Sequence, residues 1–294
     1  MVTAAAYETC LKLAARHYEN FPVASRLLPR AARPHIAAVY AFARTADDFA
    51  DEGDRPVATR LALLDDWSRR LHDAAAGRVD DTDAEPAAIF TALAATMGEC
   101  RLETSLFDDL LSAFRQDVTT TRYATWDDLL DYCRRSADPV GRLVLRIAGY
   151  RDERLDRQSD AVCTALQLTN FWQDLERDML KGRLYVPLEI VRSAGADERD
   201  LADHRFTPAW RAALADVAAR TRDLFEQGRP VADAVHGRLR YELRATWLGG
   251  VQILTRLERN GFDVFQARPV LGWRDAVSIG WRTLAWSGHG AGRA

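Results

Sequence analysis

The chain has 294 residues, 48% of them hydrophobic and 28% charged, an ordinary globular composition with room for one large domain or two small ones. A net charge of -3 and a pI near 6.1 leave no basic footprint, which excludes nucleic acid as the expected partner. Cys10, Cys100, Cys133 and Cys163 form no CxxC pair, which argues against a zinc knuckle or a dithiol redox site and suits reduced thiols.

The first twenty residues lack the basic start and apolar core of a signal peptide. No apolar run approaches the ~18 residues needed to span a bilayer. The expectation is a cytoplasmic protein, with peripheral contact to the inner membrane left open and no partner protein readable. Helical periodicity then dominates the chain. Arg33 to Asp51 places Ile36, Val39, Tyr40 and Ala43 at three- and four-residue intervals, with Pro34 suited to a first helical turn. Ala58 to Ala76 repeats the pattern and stops at Gly77. Ile89 to Met97, Leu106 to Phe114, Trp126 to Tyr132 and Val140 to Ile147 read the same way, as do Asp160 to Met179, Pro208 to Phe225 and Val231 to Leu257.

Between these runs lie an acidic connector (Arg78 to Pro86), a short loop (Lys181 to Pro187) and a longer polar connector (Ser193 to Thr207) able to move. Only Arg183 to Pro187 looks extended, because Pro187 disfavours helix at the residue before it. The small, polar tail Ser287 to Ala294 is expected to fray. The pattern predicts an all-α fold of about nine or ten helices in a single-domain layered bundle over residues 1–294.

Two acidic clusters carry the chemistry. Asp47 and Asp51, with Asp48 between them, are four residues apart, so on a helix the outer pair shares one face about 6 Å apart along the axis. Asn170, Asp174 and Asp178 form a second stripe at steps of four. Like charges at that spacing repel by a few tenths of a kcal/mol, and a hard divalent cation offsets the repulsion. Magnesium prefers one or two carboxylates, several waters and phosphate oxygens. The acids at Asp65/Asp66, Asp108/Asp109 and Asp127/Asp128/Asp131 read instead as solvated faces. What sets the two clusters apart is their continuation. Asp47 leads back through Ala43 to Tyr40 and Ile36, and Asn170 through Gln167 and Leu166 to Cys163, so each set sits at the end of a face expected to point inward.

Two stretches resemble the squalene/phytoene synthase family. One is the opening His17-Tyr-Glu-Asn20-Phe21-Pro followed by Tyr40-Ala-Phe-Ala-Arg44-Thr-Ala-Asp47-Asp48-Phe-Ala-Asp51; the other is Asn170-Phe-Trp-Gln-Asp174-Leu-Glu-Arg-Asp178 followed by Lys181-Gly-Arg183-Leu-Tyr185-Val-Pro187. The resemblance covers residues 14 to 265 in the family's order. It implies a helical isoprenoid-synthase fold around a central cavity, Mg²⁺ dependence and a prenyl-type lipid diphosphate substrate. It also implies that Asp47, Asp48, Asp51, Asn170, Asp174 and Asp178 hold metal, with Gln167 facing the cavity one turn earlier. Arg44 and Arg183 would then grip diphosphate oxygens, for which a guanidinium fork is suited. His17, Asn20 and Phe21 would line the diphosphate end, and Tyr132 and Tyr185 the substrate pocket.

The departures from the family's pattern fall at Tyr132-Cys133-Arg134-Arg135-Ser136-Ala137-Asp138-Pro139. Arg135 stands where a second tyrosine is usual, so it is expected to bind diphosphate or hold a polar network, and Pro139 to free a carbonyl inside the helix. This polar variant is most similar to the branch of bacterial hydroxysqualene synthases of hopanoid pathways. That likeness implies ionisation of presqualene diphosphate and capture of the cation by water. No GxGxxG follows a strand, so no NAD(P)H is expected. Head-to-head condensation of two prenyl diphosphates is the alternative within the family, and a non-enzymatic helical scaffold the distant one. A di-iron bundle is disfavoured, because the histidines form no Glu-x-x-His pairs.

Overall fold

The computed structural model describes residues 2–16, 28–51, 53–80 and 82–287, and groups them into two compact units. His17, Asn20 and Phe21, and the tail after Ser287, lie outside the described residues. Among the described residues there are fifteen helical segments and no strand, the one extended pairing being a parallel bridge between Arg122 and Leu184. Its Leu184 side falls within the segment expected to be extended, and its Arg122 side does not.

The first unit holds residues 1–119 and 139–156. It contains α1 (Val2–Arg16), α2 (Ala32–Asp51), α3 (Val57–Ala75), α4 (Ala84–Cys100), α5 (Thr104–Thr119) and most of α7 (Asp138–Ile147). Helix α2 packs against α1, α3, α4 and α5. Its buried alanines, Ala37, Ala38, Ala41, Ala46 and Ala50, let neighbours approach closely. Phe42 anchors the core with Trp67, Phe90 and Phe107 at ring-centroid distances of 5.9, 6.0 and 5.4 Å. The Trp67 indole N–H, buried among these rings, donates to the Phe42 carbonyl at 3.2 Å, so no donor is stranded.

The second unit holds residues 120–138 and 157–294. It contains α6 (Trp126–Ser136), most of α8 (Glu153–Gln173), α9 (Leu175–Leu180), α10 (Leu188–Ser193), α11 (Glu198–Ala202), α12 (Pro208–Gly228), α13 (Val231–Ala234), α14 (Gly237–Arg259) and α15 (Trp273–Leu284). Trp172, Trp210 and Phe225 fill its interior, and the Trp172 N–H donates to the Thr221 hydroxyl at 2.9 Å. Trp172 is therefore a core residue. A Cβ on Gly250 would lie 2.6 Å from both Leu166 and Phe225, so α14 comes this close only because that position has no side chain.

Several expectations are corrected. Helix α1 and helix α15 were not anticipated. The run from Val231 to Leu257 is two helices, because the chain turns at Val235 and His236. The connector Ser193 to Thr207 is not uniformly irregular, since Asp197 caps α11 inside it by accepting the Arg199 N–H at 2.9 Å. Pro139 frees no carbonyl inside a helix: α6 ends at Ser136, α7 starts at Asp138, and the proline occupies the first turn of α7, where its missing N–H costs nothing.

Candidate functional site

In the first unit the site is built on α2. One face of it carries buried Ile36 and Val39 and half-buried Tyr40 and Ala43, and the next turn on that face carries half-buried Asp47. These residues, with Leu110 and Phe114 of α5 and Val140, Leu143, Val144 and Ile147 of α7, line a cavity of about 170 Å³. Asp47 and Arg44 are its polar members beside the Tyr40 hydroxyl. Burial raises the Tyr40 pKa, while the adjacent Arg44 works against that rise. Arg44 bridges both acids: Nη1 is 3.3 Å from Asp47 Oδ2 and Nη2 is 2.5 Å from Asp48 Oδ1.

Asp48 lines a different hollow. A second, more polar cavity of about 440 Å³ is bounded by Arg44, Thr45, Asp48, Phe49, Arg55 and Glu85 among others. One residue of helical rotation, about 100°, separates the two acids and sends them to separate cavities. Asp51, the last residue of α2, is half-buried and lines neither of these.

In the second unit the acidic stripe spans a break. Helix α8 ends at Gln173, Asp174 adopts φ -102° and ψ 14°, and α9 resumes at Leu175. Backbone hydrogen bonds still run from Asp174 N–H to the Asn170 carbonyl (2.8 Å) and from Asp178 N–H to the Asp174 carbonyl (2.9 Å), so the stripe survives the kink. It borders the core and is half-covered, except at Asn170. The fully buried side of α8 is Val162, Ala165, Leu168, Thr169 and Trp172. The line Cys163, Leu166, Gln167 is only partly covered, and Asn170 is exposed.

Asp174 is held by a residue the sequence did not single out. Arg268 donates to it from both Nε (2.6 Å to Oδ1) and Nη2 (3.0 Å to Oδ2), a two-pronged pair across 94 residues of chain. The hydrogen bond to Asp174 raises the Arg268 pKa further above its already high value. Arg177 lies 3.5 Å from the same carboxylate. An arginine in an irregular segment carries no local pattern, so nothing in the sequence marked Arg268.

The loop after α9 explains its own motif. Gly182 sits at φ +74°, its N–H bonds to the Met179 carbonyl (2.9 Å), and the Arg183 N–H bonds to the Asp178 carbonyl (2.8 Å). This is a left-handed helix stop that favours glycine and tethers the Arg183 backbone to that of Asp178. Leu184 N–H then bonds to the Thr121 carbonyl, which seats Tyr185 in an aromatic cluster with Phe171, Tyr123 and Tyr132. Tyr185 and Phe171 stack at 3.6 Å between centroids, and Tyr132 lies 6.2 Å from Phe171. Tyr132 and Tyr185 are thus brought together in a mostly buried patch.

Arg135 pairs with the acid one turn earlier on its own helix. Its Nη2 donates to Asp131 Oδ2 at 2.9 Å from a largely covered position. Asp138, in the first turn of α7, accepts a 2.8 Å hydrogen bond from the buried Thr164 hydroxyl. The remaining acid pairs lie on exposed or half-exposed faces, and several of their members are engaged there. Asp65 pairs with Arg115, Asp66 with Arg69 and Arg70, Asp108 with His72, and Asp128 caps α6. Among the described residues no three His, Cys, Asp or Glu side chains are grouped so as to hold an ion by themselves. Hard carboxylate oxygens in ones and twos fit a cation that completes its shell from water and phosphate.

Residues 14–275 match the squalene/phytoene synthase family. A hydroxysqualene synthase of Zymomonas mobilis subsp. mobilis is 39% identical over 222 residues, covering 74% of this chain and 71% of that protein. A 15-cis-phytoene synthase of Synechococcus elongatus is 31% identical over 287 residues, covering 93% and 91%. Among solved structures, squalene synthase HpnC from Alicyclobacillus acidocaldarius superposes with a TM-score of 0.81 at 42% identity, over 88% of this chain and 95% of that one.

Proposed function

The chain belongs to the squalene/phytoene synthase family and is a prenyl-diphosphate-processing enzyme, and on that premise we propose that it converts presqualene diphosphate and water to hydroxysqualene and diphosphate. The observation that carries this reading is the placement of Asp47 and Arg44 at the polar end of an otherwise apolar cavity. An apolar wall accepts isoprenoid chain, and a charged end accepts its diphosphate.

In this reading Asp47, Asp51, Asn170, Asp174 and Asp178 offer oxygen donors to Mg²⁺, with Asp48 beside them. The ions, when bound, supply positive charge to the leaving diphosphate. Arg44 and Arg183 orient diphosphate oxygens through their guanidinium forks. Tyr40, on the cavity lining, offers a ring face that favours a cation. Ionisation breaks the carbon–diphosphate oxygen bond, and the cyclopropylcarbinyl cation rearranges with opening of the three-membered ring. Water adds to the resulting cation, keeping one proton as the hydroxyl and releasing the other to diphosphate or solvent. A wet step calls for polar groups near the cation, and Arg135, Ser136 and Asp138 are polar where the family's pattern is aromatic or aliphatic. No hydride is consumed, so no nicotinamide is required.

The test is incubation of purified protein with Mg²⁺ and presqualene diphosphate in ¹⁸O-water without reductant. Hydroxysqualene carrying the label is the expected product. Consumption of farnesyl diphosphate alone, with presqualene diphosphate ignored, would overturn the reading. The phytoene synthase likeness over 93% of the chain favours a second one, head-to-head condensation of two prenyl diphosphates, which the same assay separates by supplying those substrates.

A further inference from the structure

The C-terminal helix α15 is short, Trp-Arg-Asp-Ala-Val-Ser-Ile-Gly-Trp-Arg-Thr-Leu, and its apolar residues divide between two faces. Ile279 and Thr283 are buried on the side that packs against α14, and Asp275 receives Arg256 of α14 at 2.5 Å. The other side carries Trp273, Val277, Trp281 and Leu284, at steps of four, four and three, so the four form one stripe. They are 74%, 66%, 72% and 69% exposed. Scattered exposed apolar residues are normal, but an ordered row of four large ones on a single helix is an interaction surface.

We propose that this stripe docks the protein on the headgroup region of bilayers that contain anionic phospholipid. Three features select that occupant. Two tryptophans bracket the stripe, and the indole ring favours the boundary between headgroup and acyl chain. Arg274 and Arg282 are exposed along one flank, while the helix's single acid, Asp275, is already taken by Arg256 and the Gly272 N–H. The exposed surface of α15 thus offers positive charge and no negative charge, the complement of an anionic membrane. Third, a helix of this length is about 18 Å long and its stripe about 10 Å wide, a footprint of a few hundred Å² at most. A stable interface with a second copy needs about 800 Å² per partner. The same length is too short to cross a bilayer, so the helix lies in the surface.

The position is coupled to the acidic motif of the same unit. The segment leading into α15 holds that motif at two points: Arg268 grips Asp174, and the Pro269 carbonyl accepts the Gln173 amide. A helix seated in lipid is therefore tied through a few residues of chain to a carboxylate of the proposed site.

The test is flotation of the intact protein with vesicles of phosphatidylcholine alone and of phosphatidylcholine mixed with phosphatidylglycerol. Wild type is expected to float with the mixed vesicles and to lose that association as salt is raised. Trp273→Ala/Trp281→Ala should lower binding on the order of tenfold or more, and Arg274→Gln/Arg282→Gln should abolish the preference for anionic lipid. All four side chains are exposed, so both variants should keep the wild-type far-UV spectrum and Tm. The proposal is overturned if wild type stays with the pellet, or if the tryptophan variant floats equally well. It is also overturned if light scattering shows a wild-type dimer that the tryptophan variant dissolves while wild type ignores vesicles. Binding is read without turnover, so its failure and that of the proposed reaction are separable.

Discussion

Asp174→Asn tests site and scaffold together. The Arg268–Asp174 pair is two-pronged, at 2.6 and 3.0 Å, and each side chain is about a quarter exposed. Fully exposed pairs contribute about 0.5 kcal/mol and breaking a fully buried one costs about 3–5, so this intermediate setting points to a loss of about 1.5 kcal/mol. For a chain of this length that is a Tm drop of about 2–3 °C, too small to depopulate the folded state at 25 °C. Asp174→Asn, Arg268→Gln and the double variant form a cycle, read by thermal denaturation, with an expected coupling of about 1 kcal/mol. Turnover of Asp174→Asn, followed as diphosphate release, should fall by about a thousandfold, the scale expected when a charge-stabilising group is removed. Since most molecules remain folded, that loss would lie in the chemistry. A coupling below about 0.3 kcal/mol would show that the pair contributes little in solution. Retention of wild-type turnover would refute the role of Asp174.

Gly250→Ala should destabilise the second unit by about 1–3 kcal/mol, because its Cβ falls 2.6 Å from Leu166 and from the buried Phe225 ring; an unchanged Tm would contradict the packing. Gly182→Ala imposes about 1–2 kcal/mol of left-handed strain at φ +74°, where the chain turns to deliver Arg183. Steady-state kinetics should show KM rising more than kcat falls, whereas a pure kcat loss would argue against Arg183 as a binding group. Burial pushes the Cys10 thiol up to about 12 and the Cys133 thiol well above its ordinary value. At pH 8 both should therefore resist a thiol-specific disulfide reagent in the native protein and react when denatured. Prompt native labelling of either would show that its helix opens.

Long amphipathic helices were legible in the sequence because apolar residues on them recur with a strong period. Helix α2 was read to within a residue for that reason, and the same stripe that gave Ile36, Tyr40 and Ala43 pointed forward to Asp47. Helix α1 escaped because its buried line is Ala6, Cys10 and Ala14, small residues whose spacing carries little hydrophobic contrast. Helices α10, α11 and α13 are too short to show any period. In α8 Val162, Ala165, Leu168, Thr169 and Trp172 take the core, and the line Cys163, Leu166, Gln167 runs half-covered beside them, as Tyr40, Ala43 and Asp47 do on α2. A single-residue rotation of about 100° is enough to move a stripe from interior to margin, and composition alone does not resolve it.

Arginine explains why acidic spacing was a weak guide by itself. Asp65, Asp66 and Asp131 each sit near arginines, and so do Asp47, Asp48 and Asp174. An ion pair therefore does not distinguish a site carboxylate from a surface one. What differs is the company each acid keeps. Asp131 shares its arginines on an open helix face, whereas Asp47, though 42% exposed, shares Arg44 on the lining of an apolar cavity. In the proposed reaction Mg²⁺ would compete with Arg44 for Asp47 and, separately, with Arg268 for Asp174. The consequence is measurable: Mg²⁺ with inorganic diphosphate should raise the Tm of the wild type by mass action and leave that of Asp174→Asn much less changed. Equal stabilisation of both proteins would place the ions elsewhere.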